Sequence, residues 1–222
     1  MTGKKDTYLY YFELGESAFR DKMKFYEEHN KLFDNLTFDK KIEIDIDYIL
    51  CLFEVGRYER FLSFVDNILE IIIIENIYEY QGQNIFNELL LKKSACYYHI
   101  QQYQKSLKLI GQLIKINPEH PNALDLYSLC RRKIKDSAVI NLKALAISSI
   151  FLALSITFSQ IMFIEPFYET ATNLIEDIRN SLVILSLVCF IIIEIYYQRI
   201  IYLETGKSPF RFLSKFLTQP KA

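Results

Sequence analysis

Apolar residues recur at spacings of three and four through the first two thirds of the chain, in blocks parted by short polar breaks. Tyr8, Tyr11, Phe12, Phe19, Met23, Tyr26 and Leu32 follow that spacing. Residues 7–34 are therefore predicted to form one helix, capped by Asp6, with residues 35–41 as the break after it. A second helix is predicted over 43–54, from Ile44, Tyr48, Cys51 and Leu52. A turn at Val55-Gly56-Arg57 follows, then a third helix over 58–74 carrying Phe61, Phe64, Val65, Ile68 and Leu69. The run Ile71–Ile74 is β-branched, but it continues the helical spacing without interruption and is read as helix. Residues 76–83 form a polar junction. Helices are then expected over 84–101 and 103–116, closed by Asn117-Pro118 because proline disfavours the helical conformation of the residue before it. Pro121 suits the first turn of a further helix that begins with Asn122, Ala123, Leu124 and Leu126.

The pattern then changes. Residues 144–164 contain 21 uncharged, mainly apolar residues in a row. At 1.5 Å per residue that is about 30 Å, the hydrocarbon thickness of a bilayer. Residues 181–201 are similarly apolar, with Glu194 and Arg199 near one end. The expectation is a soluble helical domain over 1–136 and a transmembrane hairpin over 137–205, with a connecting loop at 165–180. A basic amphipathic tail over 206–222 completes the chain.

Helix–turn–helix pairs invite a search for a repeat of about 34 residues. In residues 87–118, Leu90, Ser94, Tyr97, Tyr103, Ser106, Ile110, Leu113 and Pro118 fall where a tetratricopeptide repeat takes a bulky residue, a small one, an aromatic, a turn aromatic, a second small one, two apolar residues and a closing proline. This stretch resembles that family. A weaker copy over 42–75 shares Leu52, Gly56, Tyr58, Val65 and Ile68, but Phe61 replaces a small residue and no proline closes it. The resemblance implies an all-α, tetratricopeptide-like solenoid whose first helices line a concave, protein-binding face. The positions it would place there are Leu91, Ala95, Tyr98 and His99 in one copy, and Asn122, Asp125, Leu129, Arg132 and Lys133 in the next.

Composition alters the picture only at the edges. The net charge of −1 offers no basic field for nucleic acid. Cys51, Cys96, Cys130 and Cys189 form no CxxC pair, and His29, His99 and His120 lack ligand spacing with any of them, so no metal or cofactor is expected. No P-loop, GxGxxG, GxSxG or HExxH motif occurs, and no enzymatic activity is expected. The N-terminus has no apolar region of signal-peptide type.

Lysine and arginine are asymmetric about the apolar segments. Arg131, Arg132, Lys133, Lys135 and Lys143 precede the first, and Arg199, Lys207, Arg211, Lys215 and Lys221 flank the second, whereas 165–180 holds only Arg179. Both termini are therefore expected in the cytoplasm. In the tail, Phe210, Leu213 and Phe216 share a face with Arg211 and Lys215 away from it, a pattern for an interfacial helix, with packing against the soluble domain as the alternative. Glu194 is the one carboxylate deep in an apolar segment. Antiparallel register places it near Ser148, Phe151 and Ser155; either it bonds to Gln198 or a serine, or it serves oligomerisation or a pore. The expected role is a membrane-anchored scaffold that recruits a protein partner. A membrane-active effector and an accessory subunit of a larger membrane complex are the alternatives.

Overall fold

The structure, a computed structural model, describes residues 7–120, 122–164 and 172–207. Asp6 as a cap, Pro121 in a first helical turn, residues 165–171 of the expected loop, and the tail positions Phe210, Arg211, Leu213, Lys215 and Phe216 lie outside the described residues. The chain is almost wholly helical and divides into two compact units, Met1–Cys130 and Arg131–Ala222.

In the first unit the expected helix over 7–34 is two helices, α1 (Thr7–Glu13) and α2 (Phe19–Phe33). Gly15 lies between them at φ +96°, in the left-handed region that glycine occupies without a Cβ penalty, and it turns the chain. This folds Tyr11 back into a cluster with Phe33 and Ile44, flanked by Phe12, Phe25 and Tyr26. Helix α3 (Phe38–Glu54) starts five residues earlier than its apolar spacing suggests, directly after the extended Thr37. Helix α4 (Tyr58–Ile74) includes the isoleucine run. The polar junction contains a two-residue antiparallel ladder, β1 (Glu79–Tyr80) and β2 (Gln83–Asn84). Its two central residues, Gln81 and Gly82, are both at positive φ, as the commonest tight hairpin turn requires. Helices α5 (Ile85–His99), α6 (Tyr103–Ile116) and α7 (Ala123–Lys133) follow.

Consecutive helices from α2 to α6 pack on one another in chain order. The two tight α–α connections are built alike. After α3, the Arg57 amide bonds to the Leu52 carbonyl and the Gly56 amide to Phe53; after α5, the Gln102 amide bonds to Tyr97 and the Gln101 amide to Tyr98. Each is a six-to-one and five-to-two pair around one left-handed residue, Gly56 or Gln101, which satisfies the last carbonyls of the helix. Equal turns deliver Tyr58 and Tyr103 to equivalent places at the start of the next helix.

The crossing of α5 and α6 explains two serines in an apolar setting. Ser94 and Ser106 are fully buried; the Ser94 hydroxyl donates to the Ser106 carbonyl at 2.9 Å, and the Ser106 hydroxyl donates to the Ser94 carbonyl at 2.7 Å. Small side chains let the two backbones approach, and the reciprocal bonds leave neither hydroxyl stranded. Cys130 of α7 meets the same point, its sulfur 3.0 Å from the Ser106 oxygen. Ser128, two residues earlier, turns its hydroxyl to the Asp125 carbonyl at 2.8 Å.

The second unit holds α8 (Ser137–Ser159), which runs into a π-helical turn at Gln160–Ile164, and α9 (Thr172–Thr205). Asp136 caps α8 by accepting from the Ala138 amide at 3.2 Å. Residues 172–180 of the expected loop are helical, because the charges that mark the end of an apolar segment do not end a helix. The two helices meet along Ala146, Ser149 and Ala153 of α8 and Ser186, Cys189 and Ile193 of α9, all buried. Small side chains at the contact permit close packing. Val139, Ile193 and Tyr197 form a second buried cluster, and many of the other apolar side chains of both helices are exposed, Phe151, Leu154, Ile184 and Ile195 among them.

Candidate functional site

The positions assigned to a concave face differ in exposure and in their contacts. Leu91, Ala95 and Tyr98 are half-buried. His99 is exposed at its edge, but its ring stacks almost parallel on Tyr58, with centroids 4.5 Å apart, and Tyr98 meets Tyr103 edge-on at 5.5 Å. These rings tie α5 to the starts of α4 and α6. Asn122 is exposed just before α7, and Asp125 and Leu129 are exposed along it, as are Arg132 and Lys133, which belong to the second unit.

The first unit instead opens an apolar groove that the repeat pattern did not single out. It is a cavity of ≈ 470 Å³ lined by Ile72, Ile73, Ile77, Tyr78, Phe86 and Ile116, with Asn76, Asn84, Asn87 and Asn117 among its polar members. Ile73, Ile74, Tyr78 and Ile116 stand 60%, 65%, 69% and 58% exposed. The signal in the sequence was the isoleucine run itself: four consecutive apolar residues on a helix cannot all face one core, so some must face outward.

A second cavity, of ≈ 420 Å³, reaches a polar cluster between α1, α2 and α3. Lys22 and Asp47 are only 3% and 8% exposed, and the lysine ammonium lies 3.0 and 3.3 Å from the two carboxylate oxygens. The Tyr11 hydroxyl donates to the same carboxylate at 2.9 Å, and the Cys51 thiol lies at 3.6 Å. The ammonium also sits 5.4 Å from the Tyr11 ring centroid. Tyr8 donates to Glu43 one turn along, and Tyr26 donates to Asp45 at 2.7 Å. Burial pushes the Cys51 and Cys96 thiols up to about 12 and raises Cys130, so all three remain protonated near neutral pH. Burial also raises Asp45, against the opposing hydrogen bond from Tyr26.

In the second unit, polar groups gather where α8 begins and α9 ends. Arg132 donates to Glu194 at 2.6 Å, and the Gln198 amide donates to the same oxygen at 2.8 Å. The Arg132 guanidinium lies 5.3 Å from the Tyr197 ring centroid, and the Lys143 ammonium 5.9 Å from it. Tyr196 donates to Asp136, which holds that carboxyl below its ordinary range. Arg131 approaches Glu204 at 3.5 Å. Glu194 therefore has the Gln198 partner that its sequence suggested, and an arginine that it did not. The serine hydroxyls of Ser148 and Ser155 bond instead to the Leu145 and Phe151 carbonyls of their own helix. Arg199 is exposed one turn further on. At the other end of the hairpin the buried Gln160 of the π turn donates to Glu176 and accepts from Arg179, both at 3.2 Å.

No family profile, curated protein or solved structure matches this chain. A functional reading therefore rests on the chemistry of these surfaces.

Proposed function

We propose that this chain is a membrane-anchored adaptor: a tetratricopeptide-like helical array held at the cytoplasmic face of a membrane by a two-helix hairpin, where it recruits a protein partner. The observation that carries the reading is the exposure of α8 and α9. Both are long and apolar enough to cross a bilayer, yet only 22% and 17% of their most apolar windows is buried. A core helix of a water-soluble protein would be mostly covered. About twenty large apolar side chains project from the pair. At roughly 1 kcal/mol or more for each left in water, the total is on the order of 20 kcal/mol, more than the 5–15 kcal/mol that stabilises a whole domain. In lipid the same surface is solvated. The hydroxyls of Ser148, Ser149, Ser155 and Thr157 bond to carbonyls of their own helix at 2.8–2.9 Å, as a lipid-facing helix requires. The excess of lysine and arginine beside both outer ends supports cytoplasmic termini.

Two features support an adaptor role for the first unit. The matched turns at Gly56 and Gln101 and the Ser94–Ser106 crossing fit stacked helix pairs of tetratricopeptide type. The groove beside Ile73 and Ile116 is the kind of exposed apolar patch that marks a protein-binding surface. The test is cross-linking in native membranes followed by purification of the full chain. A stoichiometric partner should be retained by the wild type and lost from Ile73→Asp with Ile116→Asp, with membrane insertion unchanged. Depolarisation of cells on expression, or ion conduction by the reconstituted chain, would replace the adaptor reading with that of a membrane-active effector.

A further inference from the structure

The base of the hairpin carries more cations than its own acids neutralise, and the geometry shows which ones are left over. Three acids lie there. Asp136 accepts from Tyr196, Glu194 accepts from Arg132 and Gln198, and Glu204 faces Arg131. Arg131 and Arg132 are thereby engaged. Lys133, Lys135, Lys143 and Arg199 are all exposed and form no ion pair among the described residues. The contact recorded for Lys143 is with the face of Tyr197, an uncharged partner that leaves its ammonium available to an anion.

Two of these cations, Lys143 and Arg199, border the apolar surface directly. Leu145 and Ile147 follow Lys143 on α8, Ile195 precedes Arg199 on α9, and all three are exposed. An anionic phospholipid has the matching layout, a negative headgroup above an acyl chain. Resting on the membrane-spanning reading above, we propose that the hairpin base binds anionic phospholipid headgroups. Lys143, with Arg199, meets the phosphates nearest the acyl layer, and Lys133 and Lys135 contribute from the segment before α8. The internally paired Arg131 and Arg132 hold the helices together and do not contact lipid phosphate. Tyr196 and Tyr197 suit the same depth, where amphipathic rings settle.

The test uses the full chain reconstituted into phosphatidylcholine nanodiscs containing a minority of phosphatidylglycerol. Lipids retained by the protein are counted by native mass spectrometry. The wild type should retain phosphatidylglycerol well above its share of the bilayer. Each basic residue near an anionic surface contributes roughly fivefold to attraction. The triple variant Lys133→Gln, Lys135→Gln, Lys143→Gln should therefore lower the enrichment at least about tenfold with helicity unchanged, and the three Lys→Arg changes should preserve it. The double variant Arg132→Gln, Glu194→Gln removes a neutralised pair at no change in net charge, and it should keep the enrichment. Equal retention of both lipids by the wild type, or a loss in the neutral-pair variant as large as in the triple, overturns the proposal. So does displacement of the lipid by excess inorganic phosphate, which reassigns the cations to a soluble anion. Failure of the chain to enter nanodiscs sinks the membrane-spanning reading itself, a different result from insertion without lipid preference.

Discussion

Lys22→Met is the substitution whose consequence follows most directly from the first unit's interior. It keeps most of the lysine stem and removes the ammonium. Asp47 is then left 8% exposed, with the Tyr11 hydroxyl at 2.9 Å as its remaining strong donor and the Cys51 thiol as a weak one. Removing one member of a buried ion pair costs about 3–5 kcal/mol, because the other charge stays out of water without compensation. For a unit of this size that corresponds to a fall in Tm of roughly 10–20 °C. Asp47→Leu should cost a similar amount or more by stranding the ammonium. The double variant Lys22→Met, Asp47→Leu strands neither charge and leaves the Tyr11 hydroxyl, with the weakly donating Cys51 thiol, without an acceptor, a loss of about 1–3 kcal/mol. Each single variant should thus be less stable than the double, and the double-mutant cycle should give a coupling of about 2 kcal/mol or more. The assay is thermal unfolding of the full chain in detergent, followed by near-ultraviolet circular dichroism. The chain has no tryptophan, so tyrosines such as Tyr11 report on this core. A Lys22→Met variant within about 1 kcal/mol of wild type would refute the reasoning and show that Asp47 does not depend on the ammonium.

Further outcomes follow from other parts of the first unit. Gly56 and Gln101 occupy the same place in equivalent turns at φ +81° and +63°, so Gly56→Ala should destabilise by about 1–2 kcal/mol, whereas Gln101→Gly should be neutral or stabilising; melting temperatures that move in the same direction would contradict the shared turn geometry. A thiol buried and pushed up to about 12 is some 10³-fold less ionised at pH 8 than a free cysteine, so native Cys51 and Cys96 should react with an aromatic disulfide reagent only on unfolding. Asp45 has its folded pKa raised by burial, so its favourable contribution is full below the ordinary aspartate range and is lost as pH rises through the raised value. Asp45→Asn, which keeps an acceptor for Tyr26, should therefore raise Tm at pH 7, with the gain vanishing in acid; the same gain at both pH values would exclude this cause.

Features with a local cause were legible in the sequence. Helices α4 and α6 begin and end where their apolar spacing and turn residues place them, because Gly56, Gln101-Gln102 and Asn117-Pro118 act through the backbone next to them. The small residues at Ser94 and Ser106 were legible for the same reason: a fixed interval of 12 residues brings them together across one turn. Features that depend on distant partners were not. Lys22 looks like one more polar position on a half-exposed helix, and only Asp47, 25 residues away, makes its burial tolerable. Glu194 was flagged by its apolar neighbours, but its arginine lies 62 residues earlier. The break at Gly15 was overridden by apolar spacing that continued on both sides of it. The early part of α9 was hidden by charges that mark the edge of an apolar segment without ending the helix.

The central claim is that α8 and α9 lie in lipid. It is tested most directly by washing membranes that contain the full chain with alkaline carbonate and assaying pellet and supernatant. The account predicts that the chain stays in the pellet and is released only by detergent. Recovery in the carbonate supernatant, as a monodisperse protein stable without detergent, would contradict it.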